Sequence, residues 1–165
     1  MLLDLKPLFA GNKAYLPVDF LMDLSDLEFL GVKPLKSPIK ISGKIVSHAG
    51  IVVSQLDCKV EYTGFCDRCL QEVIKNYTVK IDRTIVVSLE NDENDDIAVV
   101  PDMQLDLEDF CYADIVMSLP TKVLCDENCR GLCSACGINL NFAECNCTKK
   151  EIDPRLAALT ELLKD

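Results

Sequence analysis

The chain has 165 residues, 49% of them hydrophobic, and a formal net charge of −10. That length fits one domain plus a small appendage, and that apolar content supplies a real core, so the ten cysteines are not there to staple a chain that lacks one. The start, MLLDLKPLFAGNK, has no basic opening followed by a long apolar run, and no stretch approaches the roughly 18 apolar residues of a membrane span, so neither a secretory nor a membrane-spanning chain is expected.

Taken in chain order, Val18, Phe20, Met22 and Leu24 alternate with Asp19, Asp23 and Ser25 and predict a strand with one buried face. After the Gly/Pro-marked GVKPLKSP (31–38), Ile39, Ile41 and Ile45 alternate with Lys40, Ser42 and Lys44 as a second strand. His48, Ala49 and Gly50 form a turn into Ile51–Leu56, and alternation resumes from Cys58 to Phe65. From Tyr77 to Leu89 the odd positions are apolar except Arg83, which marks a bulge or an edge. Helices come only later. Asp106 caps a helix over Leu107–Ser118, with Glu108 and Asp109 where the helix dipole favours acids and Pro120 as the stop. Asp153-Pro154 opens a last helix with Leu156, Leu159 and Leu163 on one face.

Successive short strands followed by helices predict an α+β protein built on an antiparallel sheet, curled or barrel-like. Residues 1–120 read as a β-rich core with an acidic loop at 90–105 and a helix at 106–118. Residues 121–165 read as a Cys-rich module with the C-terminal helix.

The charge is unevenly placed. Residues 1–89 carry 11 Lys/Arg against 10 Asp/Glu, 90–120 carry 10 acids and no base, and 121–165 carry 6 bases against 7 acids. The imbalance therefore sits in one segment opening with ENDENDD (90–96), either a solvated loop or a contact for a basic partner.

The cysteines carry the chemistry. With no sign of export, thiols stay reduced, and clustered ones read as metal ligands or catalysts. Cys133-x2-Cys136-x8-Cys145-x-Cys147 presents two close pairs around a short excursion, which suits a tetrahedral zinc ion. Gly131 and Gly137 supply tight turns that aim backbone N–H groups at thiolates. Cys66-x2-Cys69 and Cys125-x3-Cys129 have the same pair-like spacing, and a second ion would form if a fold brought them together, with Cys129 and Cys133 able to exchange places. Four-thiolate zinc is closed to substrate and therefore structural, and each such site carries net −2, offset by Arg68, Lys122, Arg130, Lys149 and Lys150 nearby in sequence. An iron–sulfur cluster uses the same ligands. Cys58 and Cys111 lack close partners and read as small buried hydrophobes. Redox catalysis needs a βαβ setting for its Cys-x-x-Cys, and none is visible. The single histidine, His48, sits in a turn, and no nucleophile elbow, phosphate-cradling Gly loop or dinucleotide fingerprint occurs, so a non-enzyme is expected.

CDRCL (66–70), a helix running to LPTKVLC (119–125), CRGLCSACGINLN (129–141), CNC (145–147) and DPRLAAL (153–159) resemble the bacterial YceD family in its cysteine-rich Gram-positive form, as do DLKPLFAG near the start and DLSDLEFLGVKPLKSPIKISG (23–43). The resemblance runs in order through nearly the whole chain. It implies a cytoplasmic ribosome biogenesis factor that supports synthesis, processing or stability of 23S ribosomal RNA in large-subunit assembly. The charges leave two alternative partners open. Arg130, Lys149 and Lys150 would meet RNA phosphates, whereas Asp92, Glu93, Asp95 and Asp96 would hold a basic ribosomal or processing protein. No small-molecule substrate is implied. The competing expectation is a zinc-binding interaction protein, or a redox or metal-buffering protein, without a ribosomal role.

Overall fold

The computed structural model describes residues 1–88 and 97–147. The acidic run with Asp92, Glu93, Asp95 and Asp96, the pair Lys149 and Lys150, and the helix expected from Asp153 lie outside the described residues. The chain divides into two compact units. One comprises Met1–Gly64 and Val73–Lys122; the other joins Phe65–Glu72 to the chain from Val123 onward.

The first unit is mostly sheet. Strands β1 (Leu2–Asp4), β2 (Tyr15–Met22), β3 (Ile39–His48), β4 (Ile51–Phe65), β5 (Glu72–Ile81), β6 (Thr84–Val86), β7 (Ile97–Val99) and β8 (Gln104–Asp106) are accompanied by a one-turn helix α1 (Lys6–Phe9) and by α2 (Leu107–Ser118). Among the described residues β1 pairs with β8 alone. The main sheet runs β2-β3-β4-β6-β7, with β5 also on β4.

Alternation is the cause of the strands. In β3, Ile39, Ile41 and Ile45 are buried while Lys40 and Lys44 are exposed, and their cross-strand partners Met22, Phe20, Cys58 and Ser54 share the inner face. His48 and Ile51 pair across a two-residue turn with Ala49 at φ 53° and Gly50 at φ 84°. Both central residues are left-handed, as the twist of a tight hairpin demands. Gly43 has no substitute: a Cβ there would run into the Gln55 carbonyl oxygen on β4.

Three expectations need correction. The sheet is open rather than barrel-like, because β2 and β7 end the strand order and do not pair with each other. β2 carries Pro17 near its middle, where the missing N–H suits an edge strand, and α2 contributes Leu107, Phe110, Cys111 and Ile115 to the core. The main sheet is also not wholly antiparallel, since β7 runs parallel to β6 with Thr84 opposite Ile97. Ten residues separate these strands, so no tight turn dictates an antiparallel return. Finally, part of the acidic 90–105 stretch is strand. The apolar Ile97–Val99 pairs with β6, and Gln104–Asp106, with Leu105 buried, pairs with β1.

The predicted helix is present as α2. Asp106 adopts extended backbone and accepts the Glu108 N–H at 3.0 Å, and Leu119 leaves the helix at ψ 133°, the conformation favoured before Pro120. The Arg83 interruption falls between β5 and β6, where its guanidinium reaches Asp114 of α2 at 2.7 Å and lies over the Phe110 ring.

Candidate metal centres

The second unit is organised by its cysteines. Cys66, Cys69, Cys125 and Cys129 form one group and Cys133, Cys136, Cys145 and Cys147 another, with all sulfurs of a group within 4.8 Å of one another. All eight predicted ligands are thus brought together. Cys129 belongs to the first group and Cys133 to the second. The two outlying pairs meet because residues 65–72 belong to the same compact unit as the tail. Cys58 and Cys111 are buried in the first unit, as expected, but they are not without a partner: each thiol lies in hydrogen-bond contact with the other.

Each Cys-x-x-Cys is a hairpin-like knuckle, and the two have the same hydrogen bonds. The Leu70 N–H donates to the Cys66 carbonyl and the Gly137 N–H to the Cys133 carbonyl, both at 2.9 Å. The Cys66 N–H then reaches the Gln71 carbonyl and the Cys133 N–H the Ile138 carbonyl, both at 2.8 Å. The residue after the second cysteine must turn left-handed. Gly137 does so at φ 76° without penalty, whereas Leu70 does so at φ 58° against its own Cβ.

Side chains tie the segments together. Arg68 sends Nη1 to the carbonyls of Cys129 (2.9 Å) and Glu127 (3.2 Å), and its own carbonyl takes the Leu132 N–H at 3.0 Å. Gly131, at φ 75°, passes so close that a Cβ would lie 3.0 Å from the Arg68 oxygen. Asp67 receives the Val123 N–H on Oδ2 at 2.6 Å and returns its own N–H to the Val123 carbonyl. Asn141, between the two cysteine pairs of the second group, reaches back to the first group, with Oδ1 accepting the Arg130 N–H at 2.7 Å and Nδ2 donating to Cys129 Sγ at 3.2 Å. Sequence reading treated Arg68 only as a countercharge and missed Asp67, Leu70 and Asn141. The signal for Asn141 is its side chain, since an amide can donate to a thiolate with its NH2 while its oxygen accepts an N–H.

The donor set fits a metal ion. A zinc–sulfur bond of about 2.3 Å in a tetrahedron sets neighbouring sulfurs about 3.8 Å apart. The observed separations are 3.8 Å for Cys66–Cys129, 3.5 Å for Cys69–Cys125 and for Cys136–Cys145, and 3.3 Å for Cys133–Cys145. They are far longer than the roughly 2 Å of a disulfide. Both groups could hold metal ions.

Electrostatics says the same. Burial works against the Cys66 thiolate, yet the N–H groups of Cys125, Cys69 and Arg68 bring its thiol down to about 6. The Asn141 amide also lowers Cys129. Cys125 is pushed up to about 12 by its neighbours Cys129 and Cys69, and Cys69 rises through burial and the nearby Cys66 and Cys129 despite the Gln71 N–H. In the second group the N–H groups of Cys136 and Ala135 bring Cys133 down to about 6, while Cys145 and Cys136 push Cys147 up to about 12. Without a cation the sulfurs of a group do not all ionise side by side. A divalent ion removes that conflict.

Residues 55–163 match the family described as large ribosomal RNA subunit accumulation protein YceD. An uncharacterized protein of Mycobacterium tuberculosis is 33% identical over 104 residues, 61% of this chain and 50% of that protein. One from Mycobacterium leprae is 30% identical over 102 residues, 59% of this chain and 46% of that protein. The uncharacterized protein YlbN of Bacillus subtilis is 25% identical over 130 residues, 78% of this chain and 76% of that protein. The chain spans about half the length of the mycobacterial relatives it matches. No solved structure matches. The matched segment covers both cysteine groups and most of the chain, and the chain belongs to the YceD family.

Proposed function

We propose that the chain is a non-enzymatic, cytoplasmic ribosome biogenesis factor that supports accumulation of 23S ribosomal RNA and is held in shape by two structural zinc ions. The family match over residues 55–163 carries the ribosomal part of this reading. The two four-cysteine groups support the zinc part, because four thiolates close the coordination sphere and leave no position for water or substrate.

Charge favours a basic ribosomal or processing protein over naked RNA as the direct partner. Residues 90–120 hold 10 acids and no base. A groove lined by Lys40 and Lys59 also contains Glu61, and Lys40 lies 3.8 Å from Asp19. An RNA track would show a continuous cationic stripe instead. Arg130 is exposed, with its N–H committed to Asn141.

The test is the ratio of 23S to 16S RNA in cells depleted of the protein. The expected result is a fall that the wild-type chain restores and Cys66→Ser does not. An unchanged ratio removes the ribosomal role. Zinc analysis of the purified chain should give two equivalents.

A further inference from the structure

Helix α2 is built inside out. Its buried side carries Leu107, Phe110, Cys111 and Ile115. Asp114, the charged residue of its second half, is turned to Arg83 at 2.7 Å. Outward it shows Tyr112, Ala113, Val116 and Met117, with Met117 86% exposed and Tyr112 43%. A helix face meant for water is polar. From Tyr112 to Met117 this one is apolar, with Tyr112, Ala113 and Met117 exposed and Val116 half-buried, and exposed Glu108, Asp109 and Ser118 border it.

The grooves beside this helix are acidic. One, of about 440 Å³, runs from Tyr112 to Leu24 and Leu27 and is rimmed by Asp23, Asp26 and Glu28. The other, of about 420 Å³, is lined by Val99 and Phe110 with Asp102, Asp106 and Asp109. No lysine or arginine lines either groove. Lys33 pairs with Asp26, and the Met1 amine with Asp106 and Glu108. Asp23, Glu28, Asp102 and Asp109 have no ion pair among the described residues.

We infer that the outward face of α2, centred on Tyr112, Val116 and Met117, is a docking surface for a basic amphipathic helix of a partner protein. Apolar side chains at helical spacing would pack on this stripe, and flanking Lys/Arg would reach the two acidic grooves. The inference rests on the reading that the partner is a basic protein. It adds the surface, which lies outside the 90–96 run singled out in the sequence. RNA is disfavoured here, because its phosphates would meet carboxylates on both sides.

The test uses the full-length, zinc-loaded chain and a fluorescein-labelled peptide of about 14 residues, close to four helical turns. The peptide contains only Leu and Lys, with Leu at i, i+3, i+4 and i+7. A second peptide has the same composition shuffled so that no apolar face forms. The expected result is saturable binding of the first peptide, with at least a roughly tenfold loss for Met117→Lys, for Tyr112→Ser and for the shuffled peptide, as when one anchor of an interface is removed. Met117 is exposed, so Met117→Lys should keep the wild-type melting midpoint. Equal affinity of wild type and Met117→Lys overturns the inference, and so does equal binding of the shuffled peptide, which would leave charge alone. It is also overturned if the wild-type chain self-associates in sedimentation and Met117→Lys does not, since the face then belongs to a second copy. Single-stranded RNA that binds wild type and is lost in Met117→Lys would transfer the face to RNA. Peptide binding with an unchanged 23S ratio in depleted cells would sink the ribosomal role and leave the surface standing. The reverse pattern would remove the surface alone.

Discussion

The two units of this chain are held together by different physics. The first buries a continuous apolar set, including Leu5, Leu8, Ile39, Ile41, Ile45, Leu56, Ile81, Ile85 and Ile115, each at 2% exposure or less. The described part of the second buries little beyond Cys66, Cys69, Cys129 and Val123, while Phe65, Leu70 and Phe142 stay exposed. The first has a core that stabilises it by removing apolar surface from water. The second has almost none, and its buried side chains are mainly the candidate ligands themselves. A module of that kind depends on its ion, because metal binding supplies the free energy that apolar burial does not.

The largest expected effect follows directly. Chelation of the ions, or Cys66→Ser, should unfold the second unit, since structural zinc in small modules binds with on the order of 10 kcal/mol. The β-signal of the first unit in far-ultraviolet circular dichroism should persist. Loss of both together would show that the two units do not differ as argued. Cys136→Ser should release one ion and leave the other group loaded, which mass spectrometry under native conditions would count.

The mirror experiment attacks the first unit. Ile45 is fully buried, and Ile45→Ala should cost about 3 kcal/mol through lost burial and the cavity left behind. Urea unfolding should register that loss while the zinc content stays at the wild-type value.

A smaller effect concerns α2 and depends on pH. The Met1 ammonium and the Glu108 N–H hold the Asp106 carboxyl below the usual carboxylate range. A depressed folded-state pKa means a contribution fully present above the unfolded value of 3.8 and lost as pH falls through the lower folded value. Asp106→Ala should therefore lower the thermal midpoint of the first unit by a few degrees at pH 7. The difference from wild type should vanish in strong acid. A difference that grew on acidification would contradict the capping role.

The smallest effects compare one backbone conformation in both units. Ala49 and Leu70 are left-handed without being glycine, at φ 53° and 58°. Replacing either by glycine should relieve about 1 kcal/mol of strain, less what glycine loses by its freer unfolded chain. Ala49→Gly should raise the midpoint of the first unit slightly. Leu70→Gly, which makes the first knuckle match Cys133–Gly137, should slow zinc release to a chelator. If Leu70→Gly accelerates release instead, the exposed leucine packs against something and is not merely tolerated.

Local patterns were enough for much of the fold. Alternation of Ile39, Ile41 and Ile45 against lysines marks β3, Asp106 and Pro120 frame α2, and the spacing of Cys133, Cys136, Cys145 and Cys147 points to one four-sulfur site. Such features depend on neighbours in the chain, where period and capping chemistry act directly. Tertiary structure alone decided the rest. It opened the sheet, set β7 parallel to β6, and recruited residues 65–72 from between two strands to complete the second sulfur group. It also turned Asp114 to Arg83 and Met117 outward on α2. The reason is common to all of these. Strand order, ligand pairing and the choice of a helix's buried face are fixed by contacts between residues far apart in sequence, and the spacing of cysteines 56 or 63 positions apart carries no mark of their partnership.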